Sequence, residues 1–228
     1  MKKLKHILSL VLLVGLVFPA NKGFAQQEKK KPDYSAYYYH RKNLFELLPN
    51  EKKEIIFLGD SITDGNEWAE YFGSQRIKNR GISGDVTDGV LYRLDEVTES
   101  HPAKVFLMIG VNDLAGGRSA DYVVRNIIRI VDRIKEASPE TKVFVQSVLP
   151  VNNDFTQFPD HVNKTDTIKE VNEQLATLAK KEGATYINLF ALMSNGNDQL
   201  KPEYTEDGLH INGKGYIAWM ERIAKYVE

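Results

Sequence analysis

"FLGDSITDG", residues 57–65, decides how this chain reads. It closes the run "EIIFLG" (54–59), whose consecutive aliphatic and aromatic residues suit a strand covered on both faces rather than one half exposed to water. The run stops at Gly59, and Ser61 stands just beyond it, ahead of a stretch from Asn66 to Phe72 that reads as the start of a helix. In an open parallel sheet, ligands bind beyond the carboxyl ends of the strands, which is where Ser61 lies. A serine there can cap a helix or make a turn. It can also act as a nucleophile, provided the chain supplies a base, an acid to orient the base, and donors for the oxyanion that forms on an attacked ester carbonyl.

Outward from this stretch the pattern is regular. "KVFLMIG" (104–110), "KVFVQSVL" (142–149) and "TYINLF" (185–190) are strand-like, and "RIKNRG" (76–81) is a weaker fifth. Between them, Val123, Ile127, Ile130, Val131 and Ile134 recur at helical spacing, as do Ile168, Val171, Leu175 and Leu178. Ser138-Pro139 and Gly183 end those two helices. Strands apolar on both faces that alternate with helices predict an α/β protein, a three-layer α/β/α sandwich around a parallel sheet of about five strands.

The N-terminus has a different character. Lys2, Lys3 and Lys5 precede an apolar run from Ile7 to Phe18 and a small-residue site ending at Ala25, so residues 1–25 read as a secretory signal peptide. The apolar run is about a dozen residues, short of the roughly 20 that a spanning helix needs. The expectation is export to the periplasm or the extracellular space, with no stable membrane insertion after cleavage. "QQEKKKPD" (26–33) has the composition of a disordered leader. Residues 34–228 then form a single domain, beginning with an aromatic arm (34–50) whose tyrosines 34, 37, 38 and 39 either pack on the domain or line a cleft. The chain has no cysteine, which excludes disulfides and thiolate metal sites. Its net charge of −1 becomes more negative once the lysines of the signal are lost, which argues against a nucleic-acid partner.

The later strand ends each offer a part of the chemistry that Ser61 would need. After "RIKNR" comes "GISGD" (81–85), whose Gly84 lets a backbone N–H come close to a ligand. After "KVFLMI" comes "GVND" (110–113), whose Asn112 carries a neutral amide donor. Beyond the last strand, "TEDGLHING" (205–213) places Asp207 three residues before His210, a spacing at which the carboxylate can reach the ring nitrogen not facing the serine.

With these four segments in order, the chain resembles the SGNH, or GDSL-type, hydrolase family: "GDSITDG" its nucleophile block, "GISGD" its glycine block, "GVNDL" its asparagine block and "DGLHING" its Asp/His block. The resemblance runs from about Ile55 to His210. It implies Ser61 as nucleophile, His210 as base and Asp207 as orienting acid, with the Ser61 N–H, the Gly84 N–H and Asn112 as oxyanion donors. It also implies a flavodoxin-like strand order 2-1-3-4-5 and no cofactor. Ile62 departs from the leucine of the family's name-giving motif, one apolar residue for another. The glycine block and "DVTDGVLYRL" (85–94) resemble the branch of platelet-activating-factor acetylhydrolase-like enzymes and bacterial sialate or xylan O-acetylesterases.

Other polar residues have plainer readings. Asp60 and Asp113 are structural hydrogen-bond acceptors, and His101 is a surface loop residue. His161, in the loop "NNDFTQFPDHVNK" (152–164), is either a plain loop residue or one that reaches the cleft and contacts substrate. The acidic stretch "NGNDQLKPEYTEDG" (195–208) lacks the alternating oxygen ligands of a calcium loop, so no metal is expected. Asn163-Lys164-Thr165 matches a glycosylation acceptor.

Segments expected to border the cleft offer few adjacent aliphatic residues, whereas a long acyl chain needs shelter worth roughly 0.8 kcal/mol per CH₂. They do offer Trp68, Phe155 and Tyr204, on whose faces a sugar ring could lie. The expected substrate is therefore a glycan or small-molecule ester bearing a short acyl group, acetyl above all. The alternatives are a lysophospholipase or thioesterase of the same fold, or a non-catalytic glycan-binding protein.

Overall fold

Five strands form one parallel sheet in the order β2-β1-β3-β4-β5 in the computed structural model, which describes residues 31–228. β1 is Ile55–Gly59, β2 Ile77–Gly81, β3 Lys104–Met108, β4 Lys142–Gln146 and β5 Thr185–Ile187. Each of the five runs read from the sequence holds one strand, and the order is the flavodoxin-like one. β4 and β5 stop short of their apolar runs: Val148 and Leu149 follow β4 as buried loop, and Phe190 already opens a helix. The proposed signal peptide (1–25) and the leader up to residue 30 lie outside the described residues, and residues 34–228 form one compact unit.

The helices are α1 Ala36–Leu47, α2 Ser61–Asp64, α3 Trp68–Tyr71, α4 Thr87–Tyr92, α5 Asp95–Thr98, α6 Val111–Ala115, α7 Ala120–Ala137, α8 Thr165–Lys181, α9 Phe190–Met193 and α10 Gly213–Val227, with a 3₁₀ turn at Pro202–Tyr204. The two long central helices end where their sequence signals lie. α7 begins under the Ser119 hydroxyl, which accepts from the Tyr122 N–H, and stops before Pro139, while α8 stops before Gly183 at φ +68°.

Every residue of β1 is buried, as a strand covered on both faces requires. On one face, Phe57, Phe106 and Phe144 stand in register on neighbouring strands and their rings stack at 4.9 and 4.6 Å between centroids. Trp68 of α3 continues the stack onto Phe57 at 4.0 Å and meets Trp219 of α10 edge-on at 4.8 Å. The alternate residues Ile56, Leu58, Leu107 and Val145 point the other way and are equally buried. α7 and α8 pack against each other and bury Val123, Ile127, Ile130, Val171 and Leu175, providing the second helical layer.

α1 realises the aromatic arm. Tyr38 is buried and donates to the Gly89 carbonyl at 2.7 Å, and the Phe45 ring lies between the guanidinium groups of Arg41 and Arg80, each 4.7 Å from its centroid. In this strand order the chain reverses its direction of travel between β1 and β3, which opens a crevice at the carboxyl ends of those strands. Ser61 follows β1 and Asn112 follows β3.

Candidate active site

The turn after β1 is tighter than the sequence suggests, because the helix begins at Ser61 rather than at Asn66. Asp60 is its N-cap and accepts from the Ile62 N–H at 3.1 Å, so the serine sits in the first turn with its backbone N–H pointing out of the helix end. Asp60 is buried, and burial pushes its carboxyl up to about 7 despite the Ile62 bond, with Asp85 and Asp113 adding to the rise.

From Ser61 Oγ the nearest partner is His210 Nε2 at 2.9 Å, and His210 Nδ1 lies 2.8 Å from Asp207 Oδ2. Asp207 also accepts from the N–H groups of Leu209 and His210 through Oδ1. Burial alone would raise the Asp207 pKa. The Leu209 bond and the contacts with His210 outweigh it, and the net shift is downward, so the carboxylate stays charged beside the imidazole. The turn that presents the pair depends on Gly208 at φ +83°, packed against Phe155 and the Asn152 carbonyl.

Gly84 is exposed at φ +79°, and a side chain there would point into open space. Asn112 donates through Nδ2 to the Asp85 carbonyl at 2.9 Å, which leaves its second amide hydrogen available. Hydrogen bonds knit the blocks together. Ser83 ties the glycine block to the nucleophile turn through Asp64, Ile82 N–H donates to the Gly59 carbonyl, and Thr87 binds Asp113 through both its N–H (2.9 Å) and its hydroxyl (2.6 Å). Beneath the glycine block, fully buried Arg93 pairs with Asp85 at 2.8 Å and Glu96 at 3.2 Å and donates to the carbonyls of Gly59 and Arg80. An arrangement of hydroxyl, imidazole and carboxylate beside a set of amide donors can perform nucleophilic acyl transfer.

The proposed substrate aromatics fare unequally. Trp68 is 1% exposed, stacked on Phe57 with Nε1 donating to the Thr63 carbonyl at 2.9 Å. This corrects its reading as a substrate contact: its indole completes the core beneath the Ser61 turn. Phe155 is half-buried against Gly208, and Tyr204 is half-buried under the Lys201 ammonium. The sequence reading overlooked Phe158, whose ring meets His210 edge-on at 5.0 Å and His161 at 5.8 Å. Its three-residue spacing from His161, within a loop already singled out, was the available signal. His161 Nε2 lies 3.0 Å from Asn112 Oδ1.

The model of the GDSL-like lipase/acylhydrolase family matches residues 57–218, and the chain belongs to that family of ester hydrolases. Among curated proteins it is 28% identical over 174 residues to the human platelet-activating factor acetylhydrolase IB subunit alpha1, covering 73% of this chain and 72% of that one. Among solved structures it superposes on a GDSL-like lipase from Bacteroides thetaiotaomicron with a TM-score of 0.73 at 27% identity, covering 83% and 96% of the two chains. It shares its fold with a Geobacillus acetyl-xylooligosaccharide esterase at a TM-score of 0.63, 17% identity, and coverage of 78% and 95%.

Proposed function

We propose that the protein is an exported serine esterase that removes short acyl groups, acetyl first among them, from a carbohydrate. The observation that carries the chemistry is the relay from Ser61 Oγ through His210 to Asp207, at 2.9 and 2.8 Å. In this reading His210 takes the Ser61 proton as Oγ attacks the ester carbonyl, and the negative charge on the carbonyl oxygen is held by the N–H groups of Ser61 and Gly84 and by the Asn112 amide. Collapse of the tetrahedral species expels the alcohol, protonated by His210, and leaves an acyl-serine. Water, deprotonated by His210, releases the acid and restores the serine.

One observation favours a short acyl group. The human relative is named as an acetylhydrolase. Half-exposed Phe155 and Tyr204, among polar neighbours such as Asn153 and Lys201, support a sugar as the alcohol. Export rests on the signal-like N-terminus. A second reading, an acetyl ester on a glycerophospholipid, is favoured by the same relative's name.

The test is a p-nitrophenyl ester series run beside acetylated xylan, O-acetylated sialic acid and an acetylated ether phospholipid, with Ser61→Ala as control. Acetyl should outpace octanoyl by roughly tenfold or more in kcat/KM, sugar acetates should be turned over, and a fluorophosphonate should label the wild type only. A preference for octanoyl overturns the acyl assignment, and turnover of the phospholipid alone favours the second reading.

A further inference from the structure

We propose that His161 is a positioning residue, holding the Asn112 side-chain amide in the orientation that aims its free N–H at the oxyanion; the inference rests on the esterase reading above. Two hydrogen bonds fix the geometry. Asn112 Nδ2 lies 2.9 Å from the Asp85 carbonyl, and a carbonyl can only accept, so the amide nitrogen must face Asp85. The amide oxygen then faces His161, whose Nε2 is 3.0 Å away. An amide oxygen also only accepts, so Nε2 carries the proton, and the His161 tautomer follows from the Asp85 contact.

A primary amide is planar, with both N–H bonds in its plane. Anchoring the oxygen on one side and one hydrogen on the other leaves the second hydrogen a single direction. Without His161 the amide keeps one anchor and can rotate about the bond to Cβ. The donation to Oδ1 also draws electron density toward the oxygen, which makes the remaining N–H a better donor.

The ring is itself held in place. Its backbone N–H donates to the Phe158 carbonyl at 3.0 Å, and the Phe158 ring lies against both His161 and His210. Burial lowers the His161 pKa, and the neighbouring His210 and Lys164 lower it further against the opposing pull of Asp160, so the neutral ring adds no positive charge beside the imidazolium that forms at His210. Because Nε2 is committed as a donor, that nitrogen is unavailable as a second base.

The experiment measures kcat and KM for p-nitrophenyl acetate at pH 8 in the wild type, His161→Leu, His161→Gln and Asn112→Ala, and in the double variant carrying His161→Leu and Asn112→Ala. Removing an oxyanion donor outright costs about 10²–10³ in kcat, so loosening one should cost roughly tenfold, with KM changed by less than about threefold. Glutamine places an amide N–H near the Nε2 position and should restore most of the rate. In the Asn112→Ala background the leucine substitution should cost less than about twofold, because a residue that acts through Asn112 has nothing left to position. An unchanged kcat in His161→Leu, a loss carried by KM, or an equal loss in both backgrounds would overturn the inference while leaving the esterase reading intact. Should His161→Leu fail to fold, His161→Asn, too short to reach, takes its place: glutamine must then exceed asparagine in kcat, and equality overturns the inference. Hydrolysis of no ester by the wild type would overturn both readings.

Discussion

Asp64 Oδ2 receives two hydrogen bonds from Ser83, one from its backbone N–H at 3.3 Å and one from its hydroxyl at 3.0 Å. The same carboxylate accepts from the Tyr37 hydroxyl at 2.8 Å and pairs with Arg41 at 3.3 Å, so α1, the turn that follows Ser61 and the loop that presents Gly84 converge on one side chain. Asp64→Ala frees all three. Its melting temperature should fall by roughly 2–6 °C, the equivalent of about 1–2 kcal/mol in a domain of this size, and kcat should fall with KM nearly constant. Unchanged melting and turnover would show that the loops hold their places without this clasp.

Asn112→Ala tests the oxyanion role in the proposed mechanism. The expected loss is about 10²–10³ in kcat with a smaller effect on KM, because the amide N–H is used most fully when the charge develops. Steady-state kinetics on p-nitrophenyl acetate read this directly, and a loss confined to KM would return Asn112 to ground-state binding.

Gly208 and Gly84 both have positive φ but should respond differently to alanine. At Gly208 the new methyl would meet Phe155 Cβ at 2.6 Å and the Asn152 carbonyl at 2.8 Å, whereas at Gly84 nothing lies within 4 Å. Gly208→Ala should therefore cost more than about 2 kcal/mol and distort the turn that carries Asp207 and His210, and Gly84→Ala only the roughly 1 kcal/mol of the backbone conformation. Chemical denaturation of the two variants gives the comparison, and equal losses would contradict it.

Asp60 makes stability depend on pH. Its folded pKa, about 7, lies above the ordinary aspartate value of about 3.9, so folding favours the protonated acid. That contribution is complete below about pH 4 and is lost as the pH rises through about 7. Asp60→Asn keeps an oxygen for the Ile62 N–H and cannot ionise. Its melting temperature should exceed that of the wild type at pH 8 by about 3 °C or more, with the advantage gone near pH 4. A wild type that melts higher at pH 8 would mean that the ionised carboxylate is stabilised by its surroundings.

The strand runs and the four blocks were legible because they are local. An unbroken apolar run such as Ile55–Leu58 can only be a buried element, Gly-Asp-Ser, Gly84 and Asn112 each sit just beyond a strand end, and the Asp207/His210 pair is a three-residue spacing within one turn. Trp68 was misread because sequence gives the helix but not its rotation: four residues of α3 present no period from which a buried face can be told from an exposed one. Phe158 and Asp64 were invisible for a related reason. Their partners, His210 and Ser83, lie 52 and 19 positions away, and only the folded sheet brings those loops together.

Trp68 and Trp219 are the two tryptophans of the sequence, both within the aromatic layer over one face of the sheet, with indole N–H groups bound to the Thr63 carbonyl and to Gln146. The intrinsic fluorescence of the protein therefore comes from its interior. Emission should be blue-shifted in the native state and should track denaturation closely, since the stack of Phe57, Phe106 and Phe144 must come apart for either indole to meet water. The same placement leaves the signal insensitive to what occupies the crevice, and an optical titration of ligands needs a reporter at the rim, for example an indole introduced at Phe155 or Tyr204.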